Sequence, residues 1–260
     1  MNTPAQTLYR KQHGGMTLEV RQRQTQRSLY INGIEQSCID IQQPARLVLP
    51  VHRALLATML FVDAPRKLLL AGTGGGALAR HIHAVLPACR GDAVEISEQI
   101  VTLCRQYFCF PEHNWWLWQQ DIRQWQGDDY DLIIADIAQG DATPAWLTAT
   151  TQLQQFYAQL NDKGALVMDL LPGDAPSLVA MLQNIRQVFE RRTLCLSVPG
   201  YKNIVVIAFR AEPAYCKQTQ LQTRAAALSA QWRIDFDALL QQIRQDNPAD
   251  NGVLIQDMPL

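Results

Sequence analysis

The stretch that decides the fold is residues 67–82, KLLLAGTGGGALARHI. A short apolar run enters a loop with glycine at 72, 74, 75 and 76, and the chain then takes up a helical pattern. A strand, a glycine loop and a helix N-terminus form a cradle for an anionic or polar ligand. Glycine lets the backbone turn tightly and approach that ligand closely. The stretch therefore predicts a ligand site where the helix begins.

An acidic residue at the end of the next predicted strand makes this site more specific. Residues 72–77, GTGGGA, fit G-x-G-x-x-[G/A], which alone is weak because the pattern also occurs by chance. Glu95 closes the segment DAVEIS, where a carboxylate can accept both hydroxyls of a ribose. The alternative is a structural glycine turn beside an exposed charge. The combination of strand, loop, helix and acid favours nucleoside binding, and we assign Ile96 to the same site.

Two nucleoside ligands suit this geometry, NAD and S-adenosylmethionine, and three features favour the second. Asp121 follows the third predicted strand, where an acid commonly holds the adenine amino group in adenosylmethionine-type sites. Asp136 ends the fourth, YDLIIAD, and is predicted to face the crevice in which the transferred group lies. A closing hairpin at about 192–198 and 203–210 fits the antiparallel edge of that fold better than a dehydrogenase sheet.

Apolar patterning from residue 66 onward predicts alternating strands and helices. The predicted strands are 67–72, 92–96, 115–119, 130–136 and 164–171. The predicted helices between them are 77–85, 98–108, 148–160 and 176–188, with another after Pro50 and two more in 220–233 and 236–245. Such alternation predicts an α/β fold with a mostly parallel sheet covered by helices on both faces.

The N-terminal part reads differently, because residues 17–41 alternate between apolar and polar positions. Asn32-Gly33 lies between two such runs and is the preferred pair for a type I′ hairpin turn. We therefore predict a small β unit with its connector over residues 1–50. A nucleoside-binding domain over 51–212 and a helical tail over 213–260 would follow.

Composition excludes several other classes of protein. The chain has 260 residues, is 48% hydrophobic and carries a net charge of −1, so no basic excess points to nucleic acid. No apolar run approaches the length of a membrane span, and the first residues lack a signal-peptide core. A cytoplasmic location is expected. The six cysteines and five histidines are scattered, which predicts reduced thiols and no metal site.

Several segments carry a resemblance to a known family. They are NGIEQS (32–37), the glycine loop, VEISEQIVTLCRQYF (94–108), YDLIIAD (130–136) and LQQFYAQLNDKGALV (153–167). Through them the chain resembles, from about residue 17 to 210, the spermidine synthase family of polyamine aminopropyltransferases and its methyltransferase-like relatives. The resemblance implies a class I methyltransferase-like Rossmann fold with a seven-stranded sheet behind a small N-terminal β unit. It also implies a role in polyamine biosynthesis and a homodimer.

Departures from the family pattern concern its acidic residues. The family loop reads GGGDGG, and Gly75 stands where the aspartate falls. The family motif after the fourth strand reads D-[ST]-x-D, whereas residues 136–139 read DIAQ. Asp136 keeps the first acid and Gln139 replaces the second; Asp141 lies nearby at the wrong offset.

A third family motif, Y-x-E-x-x-x-H, is matched by RLVLPVH, in which only His52 remains and Arg46 and Val48 replace the tyrosine and glutamate. Polyamines are cations whose pocket needs carboxylates and aromatic faces. Each lost charge-assisted bond is worth about 1.5–3 kcal/mol, so the losses together would abolish useful polyamine affinity. Arg46 reads equally well as a partner for the carboxylate of intact adenosylmethionine or as an exposed charge.

We therefore expect an adenosylmethionine-dependent transferase, with methyl rather than aminopropyl transfer to an unknown small-molecule acceptor. The cofactor would be S-adenosylmethionine or its decarboxylated form, and Asp136 would be the catalytic residue. The predicted cofactor-binding residues are Gly72, Thr73, Gly74, Gly76, Glu95, Ile96, Asp121 and Asp136. Spermidine synthase activity with a rearranged pocket, a non-catalytic binding protein and an NAD-dependent oxidoreductase are the alternatives.

Overall fold

The computed structural model describes residues 4–13, 15–247 and 253. The strands are β1 (Gln6–His13), β2 (Met16–Arg23), β3 (Gln26–Ile31), β4 (Ile34–Asp40), β5 (Lys67–Ala71), β6 (Arg90–Glu95), β7 (Trp115–Gln119), β8 (Tyr130–Ala135), β9 (Leu160–Leu170), β10 (Thr193–Ser197) and β11 (Ile204–Phe209). The helices are α1 (Pro50–Leu55), α2 (Ala77–Val85), α3 (Glu98–Tyr107), α4 (Thr150–Gln159), α5 (Ala175–Val188), α6 (Gln218–Trp232) and α7 (Phe236–Asp246). Short 3-10 helices cover Leu56–Leu60, Ile122–Gln124 and Ala145–Thr148.

The strands form two sheets, in agreement with the fold class predicted from the sequence. Strands β1 to β4 make a four-stranded sheet, and the others make a seven-stranded sheet in the order β10-β11-β9-β8-β5-β6-β7. β5 pairs with β8, β8 with β9, and β6 with β7 in parallel, whereas β10, β11 and β9 pair antiparallel. The predicted α/β architecture with an antiparallel edge hairpin is therefore confirmed.

Contacts divide the chain into two compact units, which we describe separately. The loop unit contains the described residues of 1–52 and 72–125, and the C-terminal unit contains those of 53–71 and 126–260. The predicted divisions after residues 50 and 212 stay predictions. None of the described helices is both long and apolar enough to cross a membrane.

In the loop unit the N-terminal sheet is an antiparallel meander of four strands. The predicted Asn32-Gly33 turn joins β3 to β4, and both residues have positive φ (50° and 80°), as a type I′ turn requires. The sequence prediction began at residue 17 and missed β1. No residue in 6–12 is buried, so this edge strand lacks the apolar alternation by which strands are recognised.

One face of this sheet packs on α3. The shared core consists of Leu18, Val20, Leu29, Ile39, Ile100, Leu103 and Phe108, all buried. Leu18 and Val20 are the alternating pair that the sequence assigns to one strand face, and both are at most 1% exposed. This packing fixes Phe108, at the end of α3, beside the glycine loop.

In the C-terminal unit the parallel strands are almost wholly buried, which accounts for their continuous apolar runs. The predicted helix after Pro50 is a short α-helix that continues as a buried 3-10 helix over Leu56–Leu60. The two predicted tail helices are α6 and α7. Most of the polar segment beyond them, which the sequence predicts to be loose, lies outside the described residues.

Candidate functional site

The glycine loop between β5 and α2 is a tight turn in the left-handed region. Gly74 and Gly76 have φ of +50° and +69°, which residues with a Cβ rarely adopt. The N–H of Gly76 donates to the carbonyl of Thr73 at 2.8 Å, and the N–H of Gly72 donates to the carbonyl of Val94 at 3.0 Å. The loop is thereby tied to β6, and α2 begins with no side-chain cap on its N-terminal amides.

Glu95 at the end of β6 is a buried carboxylate held by backbone amides. Its Oε2 accepts the N–H of Thr73 at 3.2 Å, and its Oε1 accepts the N–H of Ser97 at 3.0 Å. The residue is 8% exposed. Glu95 thus presents a fixed pair of acceptors beside the loop.

The electrostatics of Glu95 reflect two opposed effects. Burial raises the pKa of the carboxyl, because desolvation disfavours the charged form. Backbone N–H groups of Ser97, Thr73, Gly74 and Ile96 act in the opposite direction and favour the carboxylate. A ligand that donates hydrogen bonds to the ionised form would add to this second effect.

Two other predicted residues, Ile96 and Asp121, follow the paired ends of β6 and β7, where Glu95 lies opposite Gln119. Ile96 is 62% exposed and directly follows the buried Glu95. Asp121 caps the 3-10 helix that follows it and pairs with Arg123 at 2.5 Å. The Arg123 side chain lowers the pKa of Asp121. An adenine contact by Asp121 stays a prediction.

Gly75, which replaces the aspartate of the family loop, has no room for a side chain. A Cβ placed there would lie 2.6 Å from the Ser37 Oγ, 2.9 Å from the Ser37 Cβ and 3.0 Å from the Phe108 Cδ1. Gly74 differs, because the nearest atom to a Cβ at that position would be 3.8 Å away. The missing acid is therefore accompanied by neighbours that fill its space.

Arg80 in α2 is a structural residue of the site that the sequence analysis missed. It is 5% exposed, and its guanidinium donates to the carbonyls of Pro44 (3.0 Å), Phe108 (2.5 Å) and Gly75. Burial lowers its pKa to about 10. The sequence shows an arginine four residues beyond the last loop glycine. This spacing does not reveal that the partners of the Arg80 guanidinium are backbone carbonyls.

In the C-terminal unit Asp136 directly follows β8, as predicted. Its N–H donates to the carbonyl of Ala71 at 2.9 Å, and its side chain is half-buried. The next strand carries a second acid, Asp169, which is 7% exposed. Because Ala135 pairs with Met168 in parallel register, these two acids end up on neighbouring strands at the same edge. We call Asp136 and Asp169 the acid pair.

Asp169 is strongly perturbed, and the sequence analysis did not select it. Burial raises its pKa to about 8, the charge of Asp136 adds to the rise, and a hydrogen bond from Asn203 opposes it. The Asn203 amide donates to Oδ2 at 2.7 Å, and the buried Oδ1 has no hydrogen-bond partner in the described part of the chain. An acid near the end of the apolar run of residues 164–170 was the signal that could have identified it.

Among the described residues, the other positions of the family motifs supply no buried acidic side chain. Gln139 and Asp141 are exposed on a tight turn, in which the N–H of Gln139 donates to the carbonyl of Ala142 at 2.9 Å. Arg46 is exposed and His52 is buried. In the described ranges no group of three or more His, Cys, Asp or Glu side chains could hold a metal ion.

The sheet order and the glycine loop together define an α/β protein with a methyltransferase-like fold, and comparison with known proteins shows which proteins it is similar to. The chain is 28% identical over 247 residues to a polyamine aminopropyltransferase of Chromobacterium violaceum, covering 92% of this chain and 93% of that protein. A probable spermidine synthase from Corynebacterium glutamicum has the same fold, with a TM-score of 0.73, 21% identity and coverage of 99% and 100%.

A methyltransferase structure is also similar. Human methyltransferase-like protein 13, solved in complex with SAH, gives a TM-score of 0.65 at 21% identity, covering 71% of this chain and 93% of that one. No protein-family model matches the chain. The resemblance inferred from the motifs is confirmed: the chain is similar to polyamine aminopropyltransferases over nearly its whole length, and it has a methyltransferase-like fold.

Proposed function

We propose that this chain binds S-adenosylmethionine or a related adenosyl sulfonium and transfers a group from it, the methyl group in the first instance. The observation that carries the proposal is Glu95, a buried carboxylate whose two oxygens are fixed beside the glycine loop by the amides of Thr73 and Ser97. A ribose presents two adjacent hydroxyl donors to such a pair of carboxylate oxygens. Ile96, 62% exposed, offers an apolar face to the base beside them.

The glycine loop supplies the second part of this site. The first amides of α2 have no side-chain cap, so they remain available to polar groups of the ligand. Within the same proposal, the chain's similarity to a methyltransferase-like protein solved with SAH supports an adenosyl ligand. The predicted homodimer and cytoplasmic location belong to this proposal as well.

Methyl transfer is favoured over aminopropyl transfer by the surroundings of the loop. Decarboxylated adenosylmethionine and polyamines bring extra ammonium groups, each of which needs a carboxylate or an aromatic face when it leaves water. Ser37 and Phe108 fill the space at Gly75, so the acid of the family loop is absent and not replaced there. Gln139 and Asp141 lie exposed on their turn.

Aminopropyl transfer is the second candidate, and two observations favour it. The Chromobacterium violaceum protein, which matches nearly the whole chain, is named a polyamine aminopropyltransferase. In addition, Asp169 provides a carboxyl group beside Asp136 that the motif comparison did not count. A cationic acceptor would find more negative charge here than the sequence motifs alone indicate.

Melting curves of the purified protein with S-adenosylmethionine, its decarboxylated form, S-adenosylhomocysteine and NAD would test the proposal. A ligand that binds only the folded state raises the melting temperature in proportion to RT ln(1 + [L]/Kd). We expect stabilisation by S-adenosylmethionine and S-adenosylhomocysteine and none by NAD. Stabilisation by NAD alone would contradict the proposal, and a preference for the decarboxylated form would favour the second candidate.

A further inference from the structure

The acid pair of the C-terminal unit has a property that the proposed function does not explain. Asp169 is buried on β9, yet among the described residues only one of its two oxygens has a hydrogen-bond partner, the Asn203 amide at 2.7 Å. An ionised carboxylate normally needs donors for both oxygens when it is removed from water. The unpartnered Oδ1 is therefore suited to carry a proton.

No cation is among the described groups that act on Asp169. Among the groups of the described chain that act on it, Asp136 is the charged one, and it has the same sign. Asn203, the other, is neutral and precedes β11, the antiparallel partner of β9. Two ionised carboxylates on neighbouring strands repel each other, and a proton held by Asp169 removes that repulsion.

We propose that Asp169 is a positioning residue that retains one proton in the acid pair and leaves Asp136 as the carboxylate that receives the acceptor's proton. This inference rests on the proposed group transfer for its chemical meaning. In that transfer the acceptor's N–H or O–H bond breaks and a new bond forms to the sulfonium carbon. The C–S bond breaks with its electron pair left on sulfur, and the proton passes to Asp136.

Retention of the proton has a consequence for stability that needs no ligand. Asp169 binds its proton in the folded state up to a pKa of about 8, but in the unfolded state only up to its ordinary value of 3.8. Between these values the folded state holds more protons, so stability falls as pH rises and levels off above about 8. Asparagine at this position resembles the protonated acid in shape and does not titrate.

The test compares melting temperatures of the ligand-free wild type, Asp169→Asn and Asp162→Asn at pH 5.5, 7 and 8.5. We expect the melting temperature of Asp169→Asn, relative to that of the wild type, to rise by roughly 5 °C or more between pH 5.5 and pH 8.5. The melting temperature of the control Asp162→Asn should not rise relative to that of the wild type, because the Asp162 side chain is 98% exposed. A constant difference between Asp169→Asn and the wild type would overturn the proposal, whether or not the protein binds an adenosyl ligand.

A second variant keeps the proposal testable if Asp169→Asn does not fold. The Asn203 hydrogen bond lowers the pKa of Asp169, so Asn203→Ala should move the pH at which stability levels off to a higher value. In an active preparation, the pH profile of transfer should contain a titration near pH 8 in the wild type, displaced upward in Asn203→Ala. If the stability of Asn203→Ala levels off at the same pH as that of the wild type, this result would contradict proton retention by Asp169.

Discussion

At the scale of single residues, position 75 shows what a motif comparison can and cannot reveal. The sequence shows that the family aspartate is replaced by glycine, but it does not show whether space remains for an acid. In the structure Ser37 and Phe108 occupy that space, and Phe108 belongs to the core between the N-terminal sheet and α3. The absence of the acid is therefore built into the packing around the loop.

The first prediction follows from this packing. Gly75→Asp should destabilise the protein by about 1–3 kcal/mol, the usual cost of inserting atoms into a packed site. Its Cβ would lie 2.6 Å from the Ser37 Oγ, and thermal or denaturant unfolding would measure the loss.

The matched variant is the double change Gly75→Asp with Ser37→Gly, compared with Ser37→Gly alone. Removing the Ser37 side chain takes away the two closest contacts and leaves Phe108 at 3.0 Å, so part of the lost stability should return. Full stability in Gly75→Asp by itself would show that the space at position 75 is open.

The two acids Glu95 and Asp169 differ in how far the sequence could identify them. Glu95 was predicted because strand, glycine loop and acid follow one another along the chain at a characteristic spacing. Asp169 depends on contacts with Asp136 and Asn203, which lie 33 and 34 residues away along the chain. Burial and pairing of this kind arise only from the fold, so no local pattern indicates them.

At the scale of elements, the apolar patterns predicted most strands and helices to within one or two residues at their ends. β7 and α2 have the predicted bounds, Trp115–Gln119 and Ala77–Val85. β9 begins at Leu160, four residues before the predicted start, because Asn161, Asp162 and Lys163 are polar and hide its first part. Apolar patterning indicates which residues are buried, so it does not detect the exposed part of a strand.

The second prediction concerns the glycine loop as an element. Gly74→Val should abolish detectable adenosyl-ligand binding and reduce stability only modestly, by about 1–3 kcal/mol from its left-handed backbone. Inside the protein the valine Cβ would have no neighbour closer than 3.8 Å, so the side chain should obstruct the ligand rather than the fold. Calorimetric titration and thermal unfolding would measure the two effects.

A control for backbone strain is available in the turn between β10 and β11. Gly200 has φ of +81° and nothing within 4 Å of an added Cβ. Gly200→Val should therefore cost similar stability and leave ligand binding unchanged. Normal binding in Gly74→Val would mean that the loop is only a structural turn.

At the scale of the whole molecule, the third prediction concerns specificity. With putrescine and decarboxylated adenosylmethionine we expect no spermidine above background. The positions of two family acids hold Gly75 and Gln139, and an ammonium that leaves water gains nothing from a glycine. Intact S-adenosylmethionine or its thioether product should still bind.

An assay for spermidine with both aminopropyl substrates checks this directly. Robust formation of spermidine would refute the specificity argument and would indicate that Asp136 and Asp169 together hold the cationic acceptor. In that case Asp169→Asn should reduce the reaction strongly, whereas Asp141→Asn, on the exposed turn, should not.

In the proposed site Glu95 binds the ribose of the nucleoside, and a calorimetric titration checks this contact. S-adenosylhomocysteine is titrated by calorimetry into the wild type, Glu95→Gln and the control Glu98→Gln, which removes an exposed carboxylate from the first turn of α3. Glu95→Gln loses charged acceptors worth about 1.5–3 kcal/mol each, so its Kd should rise at least about tenfold, while Glu98→Gln should match the wild type. Unchanged affinity in a folded Glu95→Gln variant would contradict the account.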